Sequence, residues 1–175
     1  MGLLTQVLSA HSSLYRGSLR RRYDGFFWPS SLERLHVAAV CYRIRRGEPE
    51  FLLVRTRNGH WTFPKGGVDQ DATAAAAAAR EAYEEAGVKG SVERLPFISY
   101  RHCKPRRLPS RKHIVTVHAH LCEVKRLVSP LEDYRNPRWF RAEEAKRRLQ
   151  KFRTSEFASE VVNVIERATE LISCR

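Results

Sequence analysis

The stretch that decides the fold covers residues 61–88 and reads WTFPKGGVDQDATAAAAAAREAYEEAGV. A Pro-Lys-Gly-Gly turn leads to Asp71 and Thr73, either of which suits the N-cap position of a helix. Six alanines follow, and alanine combines the highest helix propensity with a side chain small enough for close packing on a sheet. Gly87 is placed to end the helix in a left-handed cap. The stretch therefore predicts a turn and then a helix over 73–86.

Three glutamates lie on one face of this predicted helix. At about 100° per residue, Glu81, Glu84 and Glu85 fall within an arc of about 100°. Like charges three and four positions apart repel, so this arrangement is destabilising unless cations compensate it. A hard divalent ion such as Mg²⁺ or Mn²⁺ is one such cation, because it takes carboxylate oxygens together with phosphates and water. The alternative is a solvated acidic face on which Arg80 pairs with Glu84.

Short apolar elements alternate along the rest of the chain. We expect strands at 36–44, 50–55, 91–101 and 113–124, and further helices at 142–149 and 155–172. The first two strands form a hairpin around Arg46-Gly47-Glu48-Pro49. Strands interleaved with helices, without a linker or a repeat, indicate one α/β or α+β domain over 34–172.

The composition favours a folded domain with polyanionic partners. The chain has 175 residues, and 32 Lys plus Arg against 19 Asp plus Glu give a formal charge of +13. A chain of this length buries roughly 70% of its unfolded surface, so its core needs no disulfide or structural metal. No apolar run approaches the roughly 20 residues that span a bilayer. The positive charge attracts nucleic acids, phosphorylated metabolites or anionic membranes.

A basic extension over residues 1–33 precedes the expected domain. Its first 23 residues contain arginines but no acidic residue. Such a start resembles a mitochondrial transit peptide, and it also suits an arm that contacts a membrane surface or RNA. We favour a helical extension packed on the domain, because Phe26, Phe27 and Trp28 follow directly and favour burial. The four cysteines are scattered without a Cys-x-x-Cys pair, which favours a reducing compartment. We therefore expect a cytoplasmic protein, with organellar targeting as the alternative.

The 61–88 stretch resembles the signature of the Nudix hydrolases: Gly, five residues, Glu, seven residues, Arg-Glu, an apolar residue, any residue, Glu-Glu, any residue, Gly, apolar. The positions that agree are Gly66, Arg80, Glu81, Ala82, Glu84, Glu85, Gly87 and Val88. The resemblance implies an α/β/α sandwich with a mixed sheet. It also implies hydrolysis of a pyrophosphate linkage by attack of water on phosphorus. Metal ions in such reactions neutralise developing charge and lower the pKa of the attacking water.

The resemblance also implies roles for individual residues. Arg80, Glu81, Glu84 and Glu85 resemble the family's catalytic set, and the three glutamates resemble its metal ligands. The expected cofactor is Mg²⁺, with Mn²⁺ as the alternative.

One position departs from the signature, because Ala72 stands where the family has its first glutamate. In the family that glutamate mainly orients the arginine of the signature stretch, which is Arg80 here, so its loss is expected to weaken the site without emptying it. We call the signature stretch, residues 66–88, the box. Asp69 and Asp71 are the candidates to replace it. The alternative is a catalytically impaired Nudix-fold protein that binds polyanions.

The approach to the box, Phe-Pro-Lys-Gly, is similar to the branch that hydrolyses diadenosine polyphosphates and diphosphoinositol polyphosphates. Lys65 suits the binding of a phosphate as a compact point charge. Gly66 and Gly67 complete the predicted phosphate-binding turn. Arg55 and Arg57, at the end of the preceding strand, are further candidates for phosphate contact or are surface residues.

A basic stretch over 101–113 is the second clue to the substrate. It carries six Lys or Arg and no acidic residue between two predicted strands. Arg101 and Lys104 are its candidates for substrate contact, since a connecting loop of this charge is able to clamp a polyphosphate. The alternatives are a solvated basic loop and a nucleic-acid contact.

Two further groups of residues carry weaker signals. His118, His120 and Cys122 share one strand face, a spacing that suits a transition metal or an ordinary histidine pair on a sheet. Glu123, on the opposite face, is a candidate late base, and Glu132 competes with it.

The leading hypothesis is a Mg²⁺-dependent pyrophosphohydrolase acting on a small polyphosphate of the diadenosine or diphosphoinositol type. The alternatives are an RNA 5′-end pyrophosphohydrolase and a non-catalytic ligand sensor.

Overall fold

The computed structural model describes residues 35–69, 72–104 and 113–175. Within these ranges eight strands form one mixed sheet, with helices on both faces. The elements are β1 (His36–Arg45), β2 (Glu48–Arg55), β3 (Trp61–Thr62), β4 (Lys65–Gly67), α1 (Ala74–Ala86), β5 (Val88–Val92), β6 (Ile98–Lys104), β7 (His113–Leu127), a 3₁₀ turn (Asp133–Arg135), β8 (Arg138–Arg141), α2 (Ala142–Gln150) and α3 (Ser155–Ser173). The predictions for the basic extension and for residues 105–112 fall outside the described residues.

Strand β1 lies at the centre of the sheet. It pairs antiparallel with β2 and β4 and parallel with β7. Strand β2 also pairs with β3 and β8, and β7 pairs with β5 and β6. The predicted hairpin is confirmed, and its turn uses Arg46 and Gly47 at φ 55° and 80°. The predicted mixed sheet is therefore confirmed.

The predicted strand over 91–101 is wrong, because the structure contains two strands there. Strand β5 ends at Val92 and β6 begins at Ile98. Pro96 stands between them, and proline has no N–H for a ladder hydrogen bond. The main-chain N–H groups of Glu93 and Phe97 still donate to β7, both at 2.9 Å, so the break is a short bend at the sheet.

Two apolar cores cover the two faces of the sheet. In β1, Val37, Ala39 and Cys41 pack with the buried alanines of α1. Ala38 and Val40 face the other way, into a core that includes the apolar stripe of α3. This alternation follows from the period-2 direction of strand side chains. The predicted α/β/α sandwich is confirmed, with α1 on one face and α2 and α3 on the other.

The ends of α1 form as the sequence predicts. Thr73 is the N-cap, and its Oγ1 accepts a hydrogen bond from the Ala76 N–H at 3.1 Å. Gly87 adopts the left-handed conformation at φ 65°, and a Cβ there would overlap the Val128 carbonyl. Because α1 begins shortly after β4 and lies on the sheet, its acidic face is held beside the glycine turn.

Candidate active site

The three predicted glutamates occupy one face of α1, at different depths. Glu85 is buried, whereas Glu81 and Glu84 are partly exposed. The Glu85 carboxylate accepts a hydrogen bond from the main-chain N–H of Lys65 at 3.2 Å. Burial raises the pKa of Glu85 to about 7, although the charges of Arg135 and Lys65 act to lower it. Burial also raises the pKa of Glu81, against the lowering effect of Arg80.

Arg80 connects the start of the box to the glutamates. Its guanidinium donates to the Gly67 carbonyl at 3.0 Å and to the Glu81 carboxylate at 3.2 Å. It also forms an ion pair with Asp69. Asp69 therefore makes the contact with the arginine that the missing glutamate at Ala72 was expected to make. The other candidate, Asp71, lies outside the described residues.

Gly66 leaves the space that the Glu81 side chain occupies. A Cβ at Gly66 would overlap the carboxylate of Glu81. The φ of Gly66 is not in the left-handed region, so the constraint there is close approach rather than backbone conformation. The agreement of Gly66 with the signature thus has a direct steric reason.

Arg135 is the site residue that the sequence analysis missed. Its side chain is only 13% exposed and forms an ion pair with the buried Glu85 carboxylate. Its Nε also donates to Glu132 at 2.5 Å. The main-chain N–H of Glu132 donates to the Glu84 carbonyl at 3.2 Å, which ties this loop to α1. An isolated arginine in a polar loop carries no sequence signal, because the pairing depends on contact across the fold.

Other predicted phosphate contacts lie around this cluster. Lys65 lies close enough to Glu85 to lower the pKa of that carboxyl. Arg57 stacks on the ring of Tyr134, with 4.6 Å from the guanidinium carbon to the ring centroid. Arg55 stacks on Trp61 at 4.8 Å, and its carbonyl faces an Arg135 nitrogen at 3.5 Å.

The structure does not bring Arg101 to the glutamates. Arg101 lies on β6 and pairs with Glu156 at 2.8 Å and Glu160 at 2.7 Å, at the start of α3. The prediction that Arg101 contacts the substrate was based on the number of basic residues near it in the sequence. That number does not indicate which acidic residues of other elements the Arg101 side chain contacts in the fold. Lys104 ends β6, and its side chain is outside the described part of the structure.

Glu123 is also placed away from the box. It shares the β7 face of Ala119 and Leu121, which contributes to the core opposite α1. Its carboxylate pairs with Lys125 at 2.7 Å. Glu132 was the alternative candidate for the late base. It lies next to Arg135 and α1.

The histidines of β7 have hydrogen-bond partners of their own. His118 Nδ1 lies 2.7 Å from the Ser99 hydroxyl. His120 is fully buried, and its Nδ1–H donates to the Glu93 carbonyl at 2.9 Å. These contacts match an ordinary histidine pair on a sheet.

The donor types of the α1 cluster fit a hard divalent ion. Carboxylate oxygens are the ligands that Mg²⁺ and Mn²⁺ prefer, and Gly66 adds no side chain to the space beside Glu81. Among the residues that the structure describes, no three His, Cys, Asp or Glu side chains are gathered closely enough to hold a metal ion. The carboxylates are instead engaged by Arg80 and Arg135.

Comparison with known proteins identifies the class. Residues 34–161 match the NUDIX domain family. The chain therefore belongs to the Nudix family, and it is a Nudix pyrophosphohydrolase. No helix in the described ranges is long and apolar enough to cross a membrane.

The chain is similar to several individual Nudix proteins. The chain is 34% identical over 136 residues to diphosphoinositol polyphosphate phosphohydrolase 3-beta of Homo sapiens, and the match covers 74% of each chain. It is 38% identical over 95 residues to Nudix hydrolase 12, mitochondrial, of Arabidopsis thaliana, which covers 46% of this chain and 44% of the relative. A solved binary complex of a C. elegans Ap4A hydrolase superposes with a TM-score of 0.60 at 20% identity, covering 82% of this chain and 100% of the other. That likeness is evidence for the fold alone.

Proposed function

We propose that the protein hydrolyses a pyrophosphate bond in a small polyphosphate, of the diadenosine or diphosphoinositol type, with Mg²⁺ as cofactor. The observation that carries the proposal is the acidic face of α1, where Glu81 lies against Gly66 and Glu85 accepts a hydrogen bond from the Lys65 N–H. Glu84 lies on the same face, 4.0 Å from Arg80. The name of one relative supports part of this substrate range, since the 34% identical human protein is a diphosphoinositol polyphosphate phosphohydrolase.

Glu81, Glu84 and Glu85 are the proposed metal ligands, with Mn²⁺ as an alternative to Mg²⁺. A bound divalent ion supplies neutralisation of phosphate charge and a lowered pKa for the attacking water. The chain's own contribution is to hold the three carboxylates on one rigid helix and to keep Glu85 buried. A helix positions its side chains more precisely than a loop does, so it suits a site that must hold metal ligands at a fixed position relative to the phosphoanhydride of the substrate.

Lys65, Arg57 and Arg135 are the proposed contacts for the substrate's phosphates. Lys65 begins β4, and its main-chain N–H donates to the Glu85 carboxylate. The guanidinium groups of Arg57 and Arg135 both lie over the ring of Tyr134. Arg135 pairs with Glu85, and its guanidinium would be available to a phosphate if Glu85 held a divalent ion. Arginine suits this role because its planar fork binds phosphate oxygens in pairs.

The main support for the impaired-enzyme alternative is the absence of a glutamate at Ala72. The ion pair between Asp69 and Arg80 weakens that support, because Asp69 supplies a carboxylate partner for the arginine. The RNA-end alternative depends on a continuous basic track formed by the extension over 1–33 and the stretch over 101–113; the extension and residues 105–112 lie outside the described residues, so this alternative stays open.

We also propose that the protein works in the cytosol. The four cysteines are scattered along the chain without a Cys-x-x-Cys pair, a pattern that favours a reducing compartment. A fluorescent protein fused behind residues 1–33 tests this proposal. Mitochondrial fluorescence would overturn it in favour of the transit-peptide alternative, whereas diffuse cytosolic fluorescence would support it.

The functional test is phosphate release from a substrate panel with Mg²⁺ and with Mn²⁺. The panel holds dinucleoside polyphosphates, inositol pyrophosphates, nucleotide sugars and 5′-triphosphate RNA. Glu84→Gln is expected to lower turnover about a hundredfold, since it removes an electrostatic contribution of about 3 kcal/mol. Glu170→Gln, on the exposed face of α3, is the matched control. Turnover of Glu84→Gln within a few fold of the wild type would contradict the proposed chemistry.

A further inference from the structure

A cavity of about 300 Å³ lies on the α3 side of the sheet. It is formed by the turn between β2 and β3, the end of β6 and the link between α2 and α3. Its lining includes Thr56, Asn58, His60, His102, Phe152 and Arg153. This volume is at the lower end of the range for small-molecule pockets, so it suits one flat ring system rather than a whole polyphosphate. We call it the His60 pocket.

The His60 pocket is adjacent to the proposed active site. Arg153 donates to the Trp61 carbonyl at 3.2 Å, and Trp61 and Thr62 form β3. Lys65, whose N–H binds Glu85, is only three residues beyond Thr62, or at most about 10 Å of chain. Thr56 of the lining directly follows Arg55, whose main-chain carbonyl lies 3.5 Å from an Arg135 nitrogen. A ligand in the pocket therefore has its neighbouring groups within reach of Arg135, one of the proposed phosphate contacts.

The rim of the pocket holds an unusual aromatic pair. The rings of His60 and Phe152 stack with centroids 4.7 Å apart and an interplanar angle of 15°. Phe152 is 68% exposed, and its φ is +69°. The left-handed region is costly for a bulky residue, and an exposed ring gains little from burial. A large apolar ring kept exposed in a strained conformation indicates that its face is used for binding. Lys151 lies 5.0 Å from the Phe152 ring centroid, and an exposed lysine is readily displaced.

The charge of the pocket lining favours a dinucleoside polyphosphate over a diphosphoinositol polyphosphate. Among its described residues the pocket has no aspartate, glutamate or lysine, and its one arginine is Arg153. That guanidinium already donates to the carbonyls of Leu149 and Trp61. A densely phosphorylated inositol needs several available cations, and among the described lining residues Arg153 is the one lysine or arginine. A neutral, flat base needs an aromatic face and a few polar side chains, which this lining provides.

We propose that the His60 pocket binds a nucleobase by stacking on the exposed face of Phe152, whose other face stacks on His60, so that the preferred substrate is a dinucleoside polyphosphate rather than a diphosphoinositol polyphosphate. This inference rests on the proposed function. The amide of Asn58 and the hydroxyls of Thr56 and Thr62 are the polar groups available to the edge of the base. Stacking is tolerant of base identity, because every base has a π-face.

The test uses variants of Phe152 whose folding is not in question. Phe152→Gly removes the ring and suits the left-handed conformation, so stability is retained. Phe152→Trp keeps an aromatic face, and Leu95→Gly, at an exposed leucine in the bend between β5 and β6, is the matched control. Calorimetric titration of each full-length protein with adenosine 5′-monophosphate measures binding, and inositol hexakisphosphate is the comparison probe.

Phe152→Gly is expected to weaken adenosine 5′-monophosphate binding about tenfold and to raise KM for diadenosine tetraphosphate similarly, with kcat within twofold of the wild type. Phe152→Trp and Leu95→Gly are expected to match the wild type. The inference is overturned if the wild type does not bind the mononucleotide, if Phe152→Gly binds it unchanged, or if inositol hexakisphosphate binding falls equally. Failure of the proposed function is distinguishable, because it appears as turnover that does not depend on Glu84.

Discussion

Arg135 forms an ion pair with the buried carboxylate of Glu85, 50 residues earlier in the chain. Arg135 thus compensates the charge at the centre of the glutamate cluster, from a loop that the sequence analysis treated as a connection. Because Glu85 is buried, this pairing affects both the stability of the fold and the availability of the carboxylate to another cation.

Replacing Arg135 tests this relationship. Arg135→Gln is expected to lower the free energy of unfolding by about 3 kcal/mol without divalent ions, because it leaves a buried carboxylate without its cation. Millimolar Mg²⁺ is expected to restore part of the loss, since the ion neutralises the same carboxylate. Urea denaturation with and without Mg²⁺ measures both effects. Arg101→Gln, which removes a more exposed ion pair, is the control. Equal stability of Arg135→Gln and wild type would contradict the account.

Asp69 is expected to act as a positioning residue for Arg80. Asp69→Asn lowers kcat about tenfold with little change in KM, because it disturbs the arginine that holds Glu81 rather than the substrate. Adding Ala72→Glu restores the family's own arrangement and most of the lost kcat. Steady-state kinetics of the single and double variants measure this effect. If the double variant is no better than Asp69→Asn, Asp69 does not replace the missing glutamate.

Gly66→Ala separates activity from folding. The atoms nearest to the added methyl group belong to the flexible end of the Glu81 side chain, and the backbone at Gly66 tolerates alanine. We therefore expect less than about 1 kcal/mol of lost stability and at least a tenfold loss of kcat, as Glu81 is displaced. Thermal unfolding and kinetics on the same sample measure the two effects. Full activity of Gly66→Ala would mean that the position of Glu81 does not matter.

His118 predicts a dependence of stability on acid pH. Burial, and then the neighbouring His120, lower the pKa of His118 from 6.5 to about 4. The unfolded chain therefore binds a proton below pH 6.5 that the folded chain does not bind until about pH 4. This contribution to stability is present above pH 6.5 and is lost as the pH falls through that window, by about 2 kcal/mol. Urea denaturation of wild type and His118→Gln between pH 7 and 4 isolates it. Parallel curves for the two proteins would contradict the prediction.

The local features of the fold were predictable from the sequence. The N-cap at Thr73 and the left-handed cap at Gly87 depend on neighbouring residues, and both are confirmed. The break between β5 and β6 was missed, because an apolar run with one interior proline resembles a continuous strand. The register with β7 holds both pieces in one sheet.

The site was predictable only where one helix defines it. Glu81, Glu84 and Glu85 follow from helical spacing, but Arg135 reaches them across the fold, and no local pattern indicates that contact. Arg101 shows the opposite case. Its charge suggested phosphate binding, yet Arg101 forms ion pairs with two acidic residues of α3 that lie 55 or more positions away in the sequence.

Mn²⁺ binding measured by electron paramagnetic resonance is the most direct test of the central claim, that the acidic face of α1 binds a divalent ion. Titration of the wild type is expected to show tight binding that Mg²⁺ displaces. Glu84→Gln and Glu85→Gln are each expected to weaken it at least tenfold, and Glu170→Gln is expected to leave it unchanged. Mn²⁺ affinity that is the same in all four proteins would contradict the account.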